Sequence, residues 1–293
     1  MRPHATLIVN PAARSLSEER LRRVERLLAS RFFLVTVLSE RRGHAVELAR
    51  EAEGEAIFVL GGDGTFNEAV NGADGRRPLG FLPAGGANVL PRALGLPNDA
   101  VACARRLLAG RARRISVGRV NGRRFLFSAS LGPDAEAVRR VEAKRGGPRG
   151  ARPGNVVVAL TVVRVLLEQR LRFQPALELK EKGRAALLFV CNAPVYTYAG
   201  PVPLRFCPQA QLTLGLDYAA PVSPGPLAVV RLLARAATGR GLQGAPGVLW
   251  GHDLDRLEVV CDHPFPLQVD GEDMGDVETA LFEAERDAVA VLA

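Results

Sequence analysis

The residues best suited to chemistry lie in AIFVLGGDGTFNEAVNG, residues 56–72, where an apolar run opens into Gly61, Gly62, Asp63, Gly64 and Thr65 before a short helical pattern. Glycines at a strand-to-helix turn let backbone N–H groups approach phosphate oxygens, and the helix start behind them adds partial positive charge. Thr65 offers a hydroxyl donor. Asp63, on the same loop, is placed to act on a magnesium-bound phosphate or to accept a proton from an attacking hydroxyl. By itself such a turn is often only structural, so its company matters. Asn10-Pro11 follows an earlier apolar run, and Pro83-Ala84-Gly85-Gly86-Ala87-Asn88 follows a later one. In an open α/β sheet, ligands bind beyond the carboxyl ends of the strands, where the three turns would converge. Taken singly, Asn10 and Asn88 are ordinary turn and cap residues.

Strands and helices must hold these turns. Apolar runs at residues 6–9, 33–38, 56–60 and 79–82 are β-branched or aromatic-containing and end in turn chemistry. Ser15 with Glu18 makes a capping-box start, and Leu21, Val24, Leu27 and Leu28 recur at helical spacing behind it. The alternation predicts βαβ units around a mostly parallel sheet up to about Gly110. Beyond it, runs at 115–120, 124–130 and 185–191 follow one another with turns and few helices, which predicts a β-rich second domain. Residues 144–154, KRGGPRGARPG, read as a mobile basic loop leading into a helix capped by Asn155 and continuing through Leu167. A second helix is expected over 227–237, and strand-like runs at 257–261, 267–269, 280–282 and 288–292 close the chain.

Strand-NP, GGDGTFNEAVNG, FLPAGGANVLPRALGLP and a late QVDGE together resemble the diacylglycerol kinase catalytic-domain family, which includes bacterial lipid kinases and sphingosine kinases. GGDGT alone is shared with NAD kinases. The continuation through Asn67, Glu68, Asn71 and Gly72, with Arg92-Ala93-Leu94-Gly95-Leu96-Pro97, favours the lipid branch. The resemblance implies an α/β chain: an N-terminal open α/β nucleotide-binding domain over residues 1–118 and a C-terminal β-rich, β-sandwich-like domain over 119–293, whose final strands could return to the first. It implies ATP and a lipid meeting in a cleft between them. Asn10, Gly61, Gly62, Asp63, Gly64, Thr65, Asn67, Glu68, Gly85, Gly86 and Asn88 would hold ATP, with Ser39 a weaker candidate. Asp63 would manage the phosphates through Mg2+ delivered as MgATP, and no other metal ligand is assigned. Asp270 would be the general base, helped by Glu272. Read from its residues alone, Val269-Asp270-Gly271-Glu272 is a hairpin turn. Leu131–Ala135 and the Cys191-Asn192 … Tyr198-Ala199-Gly200 stretch echo two further family elements expected to be scaffold.

Departures from the family pattern stand at Arg14, Gly86 and Leu214, where a small residue, a threonine and an aspartate are usual. The family's structural magnesium is not expected beside Leu214, since Asp217 alone is a weak ligand set. The departures keep open a degenerate member that binds lipid or nucleotide without turnover. An NAD or other small-molecule kinase, with a polar pocket, is the other alternative.

The formal net charge of +8 suits anionic membrane surfaces or phosphate-rich ligands. With one Trp and no recognition motif, nucleic acid is not expected as a partner. The apolar stretch 156–167 is interrupted by Arg164 and falls short of the roughly 20 residues a bilayer span needs. The opening MRPHATLIVNPAARS lacks a signal-peptide core, and four scattered Cys read as buried free thiols. The histidines show no ligand spacing. These features predict a cytoplasmic protein with peripheral contact at the inner membrane face; a homodimer through the second domain is left open.

Overall fold

The computed structural model describes residues 2–143, 155–199 and 202–293. The basic segment 144–154 and Gly200 lie outside the described residues. Two compact units emerge, one holding the described residues of Met1–Ile115 and Asp287–Ala293, the other those of Ser116–Arg145 and Arg152–Arg286.

In the first unit the chain runs β1 (His4–Val9), α1 (Glu18–Ala29), β2 (Phe33–Leu38), α2 (His44–Glu51), β3 (Ala56–Gly61), α3 (Asp63–Gly72), β4 (Leu79–Pro83), α4 (Val89–Ala93), α5 (Ala100–Ala109) and the start of β5 (Ala112–Val120). The strands pair in the order β2-β1-β3-β4, all parallel. β3 and β4 are buried at every position, as expected of strands covered on both faces, which is why they read as unbroken apolar runs. Edge strand β2 is only partly covered. Val24 and Leu28 of α1 are fully buried, which gives the amphipathic pattern its purpose.

The helix cap differs from the sequence reading. Ser17, not Ser15, caps α1 by accepting the Arg20 N–H at 3.2 Å. Ser15 is drawn away because its N–H and Oγ–H both donate to the Ala84 carbonyl, at 2.9 and 3.0 Å.

The second unit continues with β6 (Arg123–Phe125), β7 (Ser128–Leu131), α6 (Pro133–Ala143), α7 (Asn155–Glu168), β8 (Leu177–Leu179), β9 (Gly183–Ala185), β10 (Leu188–Cys191), β11 (Thr197–Ala199), β12 (Val202–Leu204), β13 (Leu216–Pro221), α8 (Pro226–Ala237), β14 (Val248–Leu254), β15 (Arg256–Val269) and β16 (Glu272–Leu292), whose last residues belong to the first unit. Its strands order as β14-β13-β10-β7-β15-β16, antiparallel, with β8 and β9 added along β15. β15 pairs with β8 through residues 259–261 and with β7 through 267–269, with a register irregularity between. One sheet thus encloses the core of Phe125, Leu131, Val190, Tyr218, Val259 and Phe282. On the other face α7 and α8 cover a second cluster containing Phe189, Tyr196 and Phe206.

Three sequence expectations change here. The run 124–130 splits into β6 and β7 because Leu126 and Phe127 turn their N–H groups to a side chain rather than to a strand. The four closing runs fuse into two long strands, because pairing between β15 and β16 resumes beyond a register irregularity at residues 261–264. Leu131–Ala135, expected only to be scaffold, leads into helix α6, which the sequence reading did not include although Pro133 at its first position and the Glu136–Arg140 pair four apart are helix signals.

Gly72 closes α3 against α2: a β-carbon there would lie 2.0 Å from the Val46 carbonyl oxygen. Gly72→Ala is therefore expected to destabilise the protein by about 1–3 kcal/mol, read as a lower urea midpoint. An unchanged midpoint would contradict this close helix contact.

Candidate functional site

Strand register sets the candidate residues of the first unit in one row. Val9 pairs with Leu38 and with Leu60, and Gly61 pairs with Pro83. The next residues therefore emerge together at the carboxyl edge: Ser39, Asn10, Gly62 and Ala84. One more rung of backbone bonds extends each ladder, with Ser39 N–H to Val9 O at 2.8 Å, Asn10 N–H to Leu60 O at 2.9 Å and Ala84 N–H to Gly61 O at 2.7 Å.

The glycines are needed for space. A β-carbon on Gly61 would lie 2.7 Å from Thr65 Cβ, and one on Gly85 would lie 2.7 Å from Gly62 Cα. Bare backbone at Gly62 and Gly85 lets the two turns touch. The Asn10 amide donates to Thr65 Oγ1 at 3.0 Å while its Oδ1 accepts the Ala12 N–H, so the first turn is fastened to the start of α3. Asn88, with φ +47°, folds its own turn by accepting the Gly85 N–H at 2.9 Å and donating to Asn98 Oδ1. Gly64 is half-buried and Gly86 exposed.

Asp63 is half-buried at the first position of α3, and its Oδ1 accepts the Leu90 N–H at 3.3 Å. Asn67 is buried and receives the Asn71 amide on both its carbonyl and Oδ1. Glu68 has a structural task that the motif did not reveal. Its carboxylate accepts the Gly43 and Ala45 N–H groups, at 2.9 and 3.2 Å, at the amino end of α2, where negative charge is favoured.

In the second unit, Asp270 and Gly271 form the two-residue hairpin between β15 and β16, both with positive φ, +48° and +75°. That is the backbone of an Asp-Gly type I′ turn. The Asp270 side chain does more than make the turn. Its Oδ2 accepts the Leu126 N–H at 2.7 Å, and Oδ1 accepts those of Phe127 and Ser128 at 3.0 and 3.1 Å. The carbonyls of the same segment are held from the other side, since the Asn192 amide donates to Leu126 O and its backbone N–H to Phe127 O, both at 2.9 Å. Glu272 faces Arg123 at 3.2 Å. Asn192 was legible only as a turn echo.

A directional chain of hydrogen bonds leads away from the turn. Gly271 N–H donates to Gln268 Oε1 at 2.7 Å, Gln268 Nε2 donates to the Tyr196 hydroxyl at 2.6 Å, and that hydroxyl donates to Asp134 Oδ2, which also accepts from Ser130. Asp134 Oδ1 is buried and has no hydrogen-bond partner among the described residues. Although Asp134 as a residue is only partly covered, its carboxylate is enclosed, and burial pushes it above the usual carboxylate range against the pull of the Ser130 and Tyr196 hydroxyls. No sequence signal linked these four residues.

The donor set around Asp217 does not suit a structural magnesium. The carboxylate is fully buried and is engaged by His252 Nδ1 at 2.8 Å, Gln243 Nε2 at 3.0 Å and the Asp253 N–H at 3.1 Å. Leu214 brings no oxygen ligand from its side chain. His252, which carried no sequence signal, thereby has a defined structural role. All four cysteines are buried free thiols; burial pushes Cys103 up to about 12 and Cys261 to about 11, so neither is a ready thiolate.

With this geometry in view, residues 4–120 match the family model of the diacylglycerol kinase catalytic domain. Over that stretch the chain is similar to diacylglycerol kinase catalytic domains. It is 41% identical over 109 residues to the diacylglycerol kinase of Bacillus subtilis (strain 168), covering 35% of this chain and 36% of that protein. A diacylglycerol kinase of Staphylococcus epidermidis is 32% identical over 143 residues, covering 45% of this chain and 44% of the relative. The chain thus matches less than half the length of each of these relatives. In fold the likeness extends further: a crystal structure of a diacylglycerol kinase from Bacillus anthracis str. Sterne covers 99% of this chain and 96% of its own, with a TM-score of 0.72 at 19% identity. The family-model match over residues 4–120 includes every candidate residue of the first unit and none of the second.

The enclosed Asp134 gives a pH signature. Its folded state holds a proton above the pH at which the unfolded carboxyl titrates, so its contribution to stability is present below about pH 4 and lost as pH rises through the raised value. The melting-temperature advantage of the native chain over Asp134→Asn is expected to shrink as pH rises from about 4. A difference independent of pH would contradict the assignment.

Proposed function

We propose that the chain is an ATP-dependent lipid kinase, transferring the γ-phosphoryl group of ATP to a hydroxyl of a diacylglycerol-like or sphingoid lipid. The observation that carries this reading is the bare glycine turn at Gly61–Thr65, fastened by Asn10, packed on Gly85 and lying within the stretch similar to diacylglycerol kinase catalytic domains.

Backbone N–H groups of this turn and the start of α3 suit phosphate oxygens. The Thr65 hydroxyl accepts from Asn10 and keeps its own proton to donate. Magnesium arrives with ATP as part of the substrate, and Asp63 is the carboxylate on the turn suited to meet it. It would neutralise charge on the phosphate oxygens.

The acceptor oxygen forms a bond to the γ-phosphorus while the bond to the β,γ-bridging oxygen breaks and ADP leaves. The hydroxyl proton passes to Asp270. Both oxygens of that carboxylate are already engaged by three N–H donors, so the proton moves late, as the acceptor oxygen becomes acidic on bonding to phosphorus. Such timing is compatible with phosphoryl transfer, in which positioning and electrostatics dominate. Gln268, through Gly271, orients the turn without touching the reactants.

Labelled-phosphate transfer from ATP to a mixed lipid extract in detergent micelles with magnesium tests the proposal. A labelled lipid product is expected, with Asp63→Asn slowing its formation by about 10²–10³-fold. Label appearing in a polar nucleotide, or no transfer by the native chain, would contradict it.

A further inference from the structure

Two helices of the second unit carry more apolar surface than the unit covers. α7, NVVVALTVVRVLLE, is apolar at ten of its 14 positions, a composition expected of a helix buried all round or lying in lipid. Among its described side chains, only one face is buried. Thr161, Val165 and Leu166 turn inward, while Val157, Leu160, Val163 and Leu167 recur at helical spacing on the other side, with Leu160 64% exposed and Leu167 62%.

α8 repeats the arrangement. Val229 and Ala236 are buried, and Leu227, Val230 and Leu233 stand outward, Leu227 being 62% exposed. Both helices rest on one apolar cluster. The β11–β12 hairpin packs beside them, β11 against α7 and β12 against α8, and it exposes Val202. These elements lie over the same apolar cluster, and exposed apolar surface concentrated in this way marks an interaction site.

Charge selects the occupant. Residues 155–175 and 195–246, which hold the layer, contain seven arginines, no lysine and two acidic residues. Of the acids, Asp217 is buried and Glu168 pairs with Arg140 and Arg164. Arg164 and Arg231 stand exposed on the two helices. A second copy docked face to face would set arginines against arginines. An anionic bilayer offers an apolar interior under a negative surface, which matches both features. No helix among the described residues is long and apolar enough to cross a membrane, so the helices would lie in the interface.

We propose that the outer faces of α7, α8 and the β11–β12 hairpin form a docking surface for an anionic lipid bilayer, with Leu160, Leu167, Leu227 and Val230 entering the acyl region and the arginines facing head groups. The purpose of this surface rests on the lipid-kinase reading, but bilayer binding requires neither ATP nor turnover.

Vesicle flotation without nucleotide tests it, using phosphatidylcholine vesicles with and without phosphatidylglycerol. The native chain is expected to float with the anionic vesicles and less with phosphatidylcholine alone. The pairs L160S/L167S and L227S/V230S should each weaken partitioning by about tenfold or more, and R231E should weaken only the anionic arm. V35S, at an apolar position of β2 that is 56% exposed, should float as the native chain does. Unchanged melting temperatures are expected because all substituted side chains are exposed. Failure of the native chain to float, or variants that float normally, would overturn the proposal. So would sedimentation showing a native dimer that L160S/L167S converts to monomer, since the face would then belong to a second copy. Vesicle binding without phosphate transfer in micelles would keep the surface and sink the kinase reading, and the reverse result would do the opposite.

Discussion

The second unit is organised around one carboxylate. Asp270 gathers three successive N–H groups, from Leu126, Phe127 and Ser128, while Asn192 holds the carbonyls behind them. Each buried N–H without a partner would cost roughly 1–3 kcal/mol, so the break between β6 and β7 depends on this side chain. The same carboxylate sits on a hairpin turn whose left-handed backbone suits Asp-Gly. A tight turn and an anchored strand crossover thereby share one residue.

In the first unit the corresponding constraint is steric. Parallel strands in register bring their carboxyl ends to one edge, and the turns there approach closely enough that Gly62 and Gly85 touch through bare backbone. Side chains at either position would push the turns apart and close the route to the N–H groups. Glu68 serves the same edge indirectly, by fixing the start of α2 against α3. Phosphate chemistry would therefore rest on this close approach of bare backbone.

The contiguous motifs were the most legible part of the sequence. Gly61–Thr65 and Asp270–Glu272 combine turn-forming residues with a carboxylate within a few positions, so pattern and local geometry coincide. The capping serine was misread because Ser15 and Ser17 both precede an amphipathic run, and the choice is made by Ala84, 69 residues beyond Ser15. The hydrogen bonds of Asn192, the Gln268–Tyr196–Asp134 chain and the Asp217–His252 pairing were not legible, since each joins residues that only the sheet topology brings together. Fusion of the closing runs into β15 and β16 was hidden for a related reason. Polar residues such as Asp262 and His263 interrupt the apolar pattern at an exposed stretch of a continuous strand.

On the proposed lipid-kinase reading, Asp270 both anchors the break between β6 and β7 and takes the acceptor proton. Single-turnover phosphate transfer from bound MgATP to lipid by Asp270→Asn, at a temperature where the variant remains folded, tests it most directly. A rate lower by about 10²–10⁴-fold with nucleotide binding retained is expected. A folded variant that transfers phosphate within a few-fold of the native rate would show that Asp270 is a structural residue alone.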